Sequence, residues 1–586
     1  MKHYKIRKGR LGIVVALALI LVICGVLIFI KTSKKATITY YIASDQPSIT
    51  INADNEEIHL TRGTKVIGIK ASDKNKENMI IKIDQNSKEF EIDKNYLVET
   101  IEECVTNQTI YPRLMVNLRK DKGEPLEKTV GNMGEALPIK RINYERDFNK
   151  DTGEVRGYMV EKEGQIYYVD AMYVEPTLEE ATKAYPQHVI HSTYWDYYFG
   201  EGYSQTAYID SLDYKPFNKK QYADNPLRSD INAVHISMNI FKQEFDYLLG
   251  LCKETGINAL VVEVKSDIGD IAFESEQCKP YLNDSNRAIE DAVVTKSELQ
   301  SLIDRCHQEG IYLIARIVTF KDQIFAQQNS EESILSNDGS LLIHNGENWP
   351  SAYSRKSWMY NVAIAKEVAE MGFNEIQFDY VRFPDGLVDG EMNGEINLHN
   401  TYDEYKTQAL QRFLMYAYEE LSPLNVYVAA DVFAWPAVAE DDQNIGQFIP
   451  ALANVVDVIS PMPYPDHFGP GNMGSDQPWQ NPEATLQNYS EIMEEVLNSI
   501  PTPATYRTWI QGYACMGHVC KGTPGNPQRD YGSQEMMDQI HGINNAGFEG
   551  YMVWSGYGGS GMFEERKAGF ISSTLPENKK WKHSFQ

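Results

Sequence analysis

Glu375-Ile-Gln-Phe-Asp-Tyr-Val-Arg-Phe-Pro384 reads as a strand that carries its chemistry at one end. Successive side chains of a strand point to opposite faces. With Ile376, Phe378 and Tyr380 on one face, Gln377 and Asp379 share the other, and Arg382 leads the loop that follows. Seven further apolar runs flank this one, giving strands expected over 231–239, 258–265, 311–320, 374–383, 425–433, 455–464, 504–513 and 548–557. Stretches of helical period lie between them, at 241–255, 296–309, 354–371, 402–421, 482–499 and 534–546. Gly256, Gly310, Gly372 and Gly547 stand just before the next strand, where a left-handed helix end is expected. Strands joined through helices imply a parallel sheet covered on its face. Eight such units predict an α/β chain with a closed (β/α)8 TIM barrel. No Gly-x-Gly-x-x-Gly follows the first strand, where Asn239-Ile-Phe stands instead, so a dinucleotide-binding sheet is not expected.

A barrel of this kind builds its site at the C-terminal ends of its strands. Strand five, Val426-Tyr-Val-Ala-Ala-Asp-Val-Phe433, brings Asp431 to the rim beside Asp379, with Trp435 just after. Strand two alternates Glu263, Lys265 and Asp267, and strand three contributes Arg316 or Thr319, depending on phase. Strand six offers Ser460, Met462 and Tyr464. Strand seven offers Trp509 and Gln511 or their neighbours, and strand eight offers Trp554 and Ser555. Two carboxylates on adjacent strand ends, ringed by aromatics and long polar side chains, suit a sugar. Glycoside cleavage needs one carboxyl protonated for the leaving oxygen and one ionised to attack the anomeric carbon or activate water. Trp349, Trp435, Tyr464 and Trp554 are candidate stacking platforms. Lys265 between two acids also reads as half of an internal ion pair, and His235 as a hydrogen-bonded core group. Asp457, at the start of strand six, belongs to the stabilising face.

The strand-four segment, together with Ala430-Asp-Val-Phe433, Ile459-Ser-Pro-Met-Pro-Tyr-Pro465, Trp509-Ile-Gln511 and Gly550-Tyr-Met-Val-Trp554, resembles the putative glycosyl hydrolase domain family. These are TIM-barrel proteins distantly related to the α-amylase clan, and the similarity spans roughly residues 227–575. The resemblance implies Asp379 as the nucleophile of a retaining mechanism and Asp431 as acid/base. Strand five ends in Asp where amylases carry Glu, and Glu263 or Asp267 is the alternative source of the second carboxyl. Glu263, Lys265, Asp267, Arg316, Gln377, Arg382, Trp435, Tyr464, Gln511 and Trp554 are then the expected substrate-binding residues. The loops at 321–353 and 465–482 are the expected subsite walls, because functional loops are long.

Lys2, Lys5, Arg7, Lys8 and Arg10 precede an unbroken apolar run from Leu11 to Ile30. Its twenty residues span about 30 Å as a helix, the thickness of a bilayer core. No small-x-small cleavage site follows, so residues 1–35 are expected to form a cytoplasmic tail and single-pass anchor, with the body outside the cell. Short alternating segments then suggest two all-β modules, 36–100 and 101–177. Asp93-Lys-Asn-Tyr-Leu-Val-Glu99 and Asp170-Ala-Met-Tyr-Val-Glu175 close the two halves alike. The modules resemble bacterial SH3-like domains, which tether envelope enzymes to wall polymer; a plain spacer is the other reading. Residues 178–226 form a linker expected to pack on the barrel, and 227–580 the barrel itself.

The net charge is −27, although the first 35 residues hold eight Lys/Arg and no Asp/Glu. So acidic a body repels phosphate backbones, and nucleic acid is not an expected partner. A polysaccharide is. Val381 stands where a chitinase-type strand four would place its acid. The twelve histidines are scattered, so a metal-dependent barrel hydrolase is not expected, and no cofactor motif is present. Cys515 and Cys520 are the expected disulfide pair. The competing class is a barrel without turnover, serving as a membrane-tethered carbohydrate-binding scaffold.

Overall fold

The computed structural model describes residues 38–583 apart from 54–55, 85–86, 186–210, 516–529 and 557. The chain divides into two compact units, Met1–Thr182 and Lys183–Gln586. The apolar run at 11–30 lies outside the described residues. Among those described, no helix is long and apolar enough to cross a membrane.

The first unit is built of antiparallel strands. One five-stranded sheet has Lys65–Ala71 at its centre with Ile38–Ile42 beside it, and a seven-stranded sheet follows. Each half ends in the same device. Asp93 accepts the Asn95 N–H and Asp170 accepts the Met172 N–H, capping 3-10 turns at Lys94–Tyr96 and Ala171–Tyr173. A two-residue strand then returns to an early strand of its own half, Leu97 beside Ile42 and Val174 beside Pro112. The repeated sequence thus encodes a repeated closure.

The second unit is mixed α/β around a nearly closed parallel sheet. Its strands are β1 (Asn232–Ser237), β2 (Ala259–Lys265), β3 (Tyr312–Val318), β4 (Glu375–Asp379), β5 (Tyr427–Phe433), β6 (Val458–Met462), β7 and β8 (Tyr551–Trp554). The seventh was expected to be continuous over 504–513. It is two pieces, Thr505–Tyr506 paired to β6 and Thr508–Gln511 paired to β8, which is why the sheet counts nine strands. The break is at Arg507, whose side chain is needed inside the barrel. Strand eight begins at Tyr551 rather than 548. The expected helix at 241–255 is two, Met238–Gln243 and α1 (Phe245–Glu254).

The covering helices follow from their caps. Thr295 and Glu298 form a reciprocal capping box at the start of α2 (Lys296–Gln308). The helix α3 (Arg355–Met371) ends in Gly372 at φ 109°, a conformation that side-chain-bearing residues resist. Gly310 and Gly547 also have positive φ. Gly256 does not. There the demand is space, since a Cβ would lie 2.3 Å from the Ser572 nitrogen. Further on, α4 (Lys406–Leu421) and α5 (Ile449–Val455) flank β5. The segment before β1 lies on the barrel, with Leu212 and Tyr214 buried among Phe448 and Ala451.

Inward positions alternate along the strands and form the lumen core: Ile231 and Ala233, Ala259 and Val261, Tyr312 and Ile314, with Trp509, Met552 and Tyr464. Continuing the same alternation brings His235, Glu263 and Arg316 to the upper lumen. At the opposite end, Glu375 and Arg507 form a fully buried ion pair.

Candidate active site

The register of β4 against β5 sets Gln377 beside Ala429 and Phe378 beside Ala430, which carries Asp379 to the level of Asp431. Register places Val318 beside Asp379 and Ser460 beside Asp431. The two acids therefore meet on neighbouring strands at the barrel mouth.

Their environments differ. Asp379 Oδ2 accepts Arg316 Nε at 3.1 Å and a second, shorter bond from Arg316 Nη2. Its Oδ1 accepts the Tyr380 N–H at 2.6 Å. Tyr380 has φ 49°, a left-handed conformation costing about 1–2 kcal/mol in a residue with a Cβ, so the strand is wrenched just after the acid. Arg316 Nη1 also donates to Glu263 Oε2 at 2.7 Å. Burial opposes the Arg316 charge, but Asp379 and Glu263 outweigh it and keep the guanidinium ionised. One arginine is thus shared by two carboxylates.

Asp431 is 1% exposed. Burial, reinforced by the charge of Asp379, pushes its carboxyl well above the ordinary range, against the pull of a 2.7 Å hydrogen bond from Trp509 Nε1 to Oδ1. Its Oδ2 is buried without a hydrogen-bond partner. Burial therefore favours the protonated form of Asp431, and its second oxygen is uncommitted.

Glu263 has the most open side chain of the three acids, 20% exposed against 8% for Asp379. Burial works to raise it, but the His235 ring and Arg316 together hold it below its usual range. His235 Nε2 lies 3.7 Å from Glu263 Oε2. The His235 ring packs on Trp554 at 4.5 Å between centroids, and the Arg316 guanidinium lies 5.2 Å from the Trp554 ring centroid.

Other expected site residues fall elsewhere. Lys265 is corrected outright. A bulge between Glu263 and Lys265 gives Lys265 the register of Ile317, so it leaves the lumen. Fully buried, it pairs with Asp322 at 2.7 Å and lies 5.4 Å from the Tyr360 ring centroid on α3. It is an internal ion pair, with Asp322 as its partner rather than Glu263 or Asp267. Asp267 is at the rim, half exposed and paired to Lys321 at 2.6 Å. Gln377 points inward but is wholly buried, its Nε2 donating to Met552 Sδ. Gln511 is also wholly buried, donating to Tyr513 O and accepting the Asp466 N–H. Neither amide is exposed at the mouth. The Arg382 guanidinium is buried near Trp349, Tyr380 and Phe433, with an ion pair to Asp385 at 3.2 Å. Trp349 and Tyr464 are buried, Trp554 is half-buried, and Trp435 is 39% exposed. As an open platform, Trp435 is the best placed. Asp457 takes the structural role expected of it, accepting the Val428 N–H.

Two participants escaped the sequence reading. Trp509 was noted as a strand-end aromatic but not as the donor to Asp431. His235 was taken for core, although the alternation Ile231, Ala233, His235 already aims it inward. Among the described residues no group of three or more His, Cys, Asp or Glu could hold a metal ion. Cys515 is disulfide-bonded, and its expected partner Cys520 lies outside the described residues.

Residues 233–558 match the model of a family described as Putative glycosyl hydrolase domain. A hypothetical protein from Ruminiclostridium thermocellum ATCC 27405 is 30% identical over 34% of this chain and 97% of its own, with a TM-score of 0.29. The PgaB (BpsB) glycoside hydrolase domain from Bordetella bronchiseptica is 14% identical over 56% of this chain and 94% of its own, with a TM-score of 0.36. The α-L-fucosidase isoenzyme 2 from Paenibacillus thiaminolyticus is 13% identical over 59% of this chain and 49% of its own, with a TM-score of 0.37. No curated protein matches.

Proposed function

The chain belongs to the Putative glycosyl hydrolase domain family, and from that premise we propose that it cleaves glycosidic bonds with Asp431 as acid/base and Asp379 as the ionised partner. The observation that carries this is the division of labour between the two acids. Burial pushes the Asp431 carboxyl, with its one uncommitted oxygen, toward the protonated form, while Asp379 takes two hydrogen bonds from Arg316. Adjacent parallel strands are about 4.8 Å apart, a spacing that suits the ~5–5.5 Å carboxyl separation of a retaining mechanism better than the wider gap of inversion. In the first step Asp431 protonates the leaving oxygen as Asp379 attacks the anomeric carbon. In the second, Asp431 takes a proton from water as the glycosyl–Asp379 bond breaks.

The substrate in this reading is a polysaccharide of the cell envelope or its surroundings. The basic tail and apolar run at 1–35 support a single-pass anchor with the catalytic body outside. The β unit serves as a binder of wall polymer or as a spacer.

The test is release of reducing ends from a panel of envelope glycans by the fragment beginning at Thr37, compared with Asp379→Asn and Asp431→Asn. Turnover in both variants equal to the parent would remove the assignment. The anomer released first, followed by NMR, separates retention from inversion. A second reading has one specific observation in its favour. Both Asp379 oxygens are already engaged, as in a purely structural ion pair. Glycan binding without turnover by the parent would establish that reading, a tethered carbohydrate-binding scaffold.

A further inference from the structure

The His235 ring is fixed by what it touches. Nδ1 lies 2.8 Å from the Gly556 carbonyl oxygen, which only accepts, so Nδ1 carries a hydrogen. Nε2 is buried with no hydrogen-bond partner and faces Glu263 Oε2 at 3.7 Å. In a neutral ring held this way, the buried Nε2 would turn a lone pair toward a carboxylate, setting acceptor against acceptor. A proton on Nε2 reverses the sign of that contact. Arg316 on β3 shares Glu263 with the ring and also pairs with Asp379 on β4, and the Asp431 carboxyl on β5 lies near Asp379 and Arg316. The second half of β7 and β8 present the Trp509 and Trp554 rings to it.

Charge counting points the same way. Arg316 is one cation for the two carboxylates Asp379 and Glu263, and burial pushes Asp431 toward its neutral form, so a neutral His235 leaves an anion without a counterion. Buried charges are tolerated when paired. An imidazolium completes the pairing.

We propose that His235 is a positioning residue that works as an imidazolium, directing its Nε2 proton at Glu263 so that Glu263 keeps its hold on Arg316. Arg316 then stays divided between two carboxylates instead of turning wholly onto Asp379. The kinetic part rests on the reading of Asp379 and Asp431 given above; the protonation state does not.

The first experiment reads the proton directly. In the full chain labelled with 15N-histidine, with His235 assigned by its loss in His235→Gln, Nε2 is expected to be protonated at pH 7. In Glu263→Gln it is expected to have lost that proton at the same pH. An unprotonated Nε2 in the parent, or no change in Glu263→Gln, overturns the proposal. The second experiment is kinetic. His235→Gln is expected to lower kcat by about 10²-fold through misplacement of Arg316, with KM little changed. The losses in His235→Gln and Glu263→Gln are expected not to add in the double variant, because both act through one contact. Fully additive losses contradict the proposal. A protonated Nε2 in a parent without turnover upholds the charge cluster and instead defeats the glycosidase reading.

Discussion

At the floor of the barrel Arg507 Nη1 grips Glu375 at 2.7 and 2.9 Å, whereas at the mouth Arg316 divides itself between Glu263 and Asp379. Both clusters pair an arginine with carboxylates, and β4 contributes an acid to each, Glu375 below and Asp379 above. On the floor both partners are completely buried, Tyr312 adds a hydrogen bond to Glu375, and Arg507 Nη2 reaches the Arg228 carbonyl. That cluster has one cation for one carboxylate. The mouth has one arginine for two carboxylates and a third carboxyl that burial pushes toward its protonated form; unpartnered atoms occur at both ends, Arg507 Nε on the floor and Asp431 Oδ2 and His235 Nε2 at the mouth. An evenly matched pair in the interior locks strands together. An uneven one leaves groups whose protonation and partners can change during a reaction. Position along the strand, floor or mouth, separates these roles more sharply than residue type does.

Breaking the mouth should abolish turnover without unfolding the protein. Asp431→Asn removes the proton donor and should lower kcat by about 10²–10⁴-fold. It should not cost stability near neutral pH, and the sign can be worked out. Because the folded state raises the Asp431 carboxyl above its unfolded value, stability is greatest at low pH. It then falls as pH rises through the unfolded value toward the folded one. An amide does not titrate, so the variant escapes that decline. Thermal melts at pH 5 and pH 8 should show the parent losing more between them than Asp431→Asn loses. A variant that instead melts far below the parent at both values would make Asp431 a structural group like Glu375.

Breaking the floor should do the opposite. Glu375→Gln leaves the Arg507 charge buried without its counterion, at a cost of about 3–5 kcal/mol. Denaturant unfolding should show that loss, while the kcat of the molecules that remain folded should stay within a few-fold of the parent. Replacing both partners, Glu375→Leu with Arg507→Met, should recover much of the stability. A double variant no better than the single would mean that the Tyr312 and Arg228 contacts matter more than the ion pair.

The contrast was only half readable beforehand. Alternation along Glu375–Asp379 is enough to send Gln377 and Asp379 inward, and a parallel register of unbroken strands brings Asp431 to the same height. Counting by twos fails where a residue is inserted. Val264 bulges, Lys265 takes the outward facing of Ile317, and a candidate binding residue becomes a wall pin on Asp322. At Arg507 counting by twos holds, since it shares a face with Trp509, but the continuous run gives no sign that strand pairing passes there from β6 to β8. The hydrogen bond from Trp509 to Asp431 joins residues 78 apart in the chain, and no local pattern encodes it. His235 was within reach, since its strand alternates cleanly. A buried histidine draws attention only once an acid is seen beside it.

Trp509 offers a finer probe of the mouth. Its N–H favours the charged form of Asp431, so Trp509→Phe should move that carboxyl still further upward. If Asp431 is the acid, the alkaline limb of kcat/KM must shift to higher pH in the variant, with only a modest fall at the optimum. A downward shift would show that the limb belongs to another group, Glu263 being the first candidate. On the floor, Tyr312→Phe removes a comparable bond to Glu375, and no shift of the pH profile is expected from it.

The smallest expected effect belongs to the rim, where Asp267 and Lys321 form an ion pair in the open. The Asp267 side chain is 46% exposed, and solvent screening limits such a pair to below about 1 kcal/mol. Asp267→Asn should leave the melting temperature nearly unchanged and alter KM, if anything, more than kcat. Sequence reasoning allowed Asp267 as the source of the second carboxyl, which makes this variant the sharpest control on the assignment. The structure gives Asp267 a lysine, solvent, and no buried partner to hold a proton on it. A loss of kcat as large as that of Asp431→Asn would mean that the loops close over the rim when substrate binds, moving the acid from the fifth strand to the end of the second.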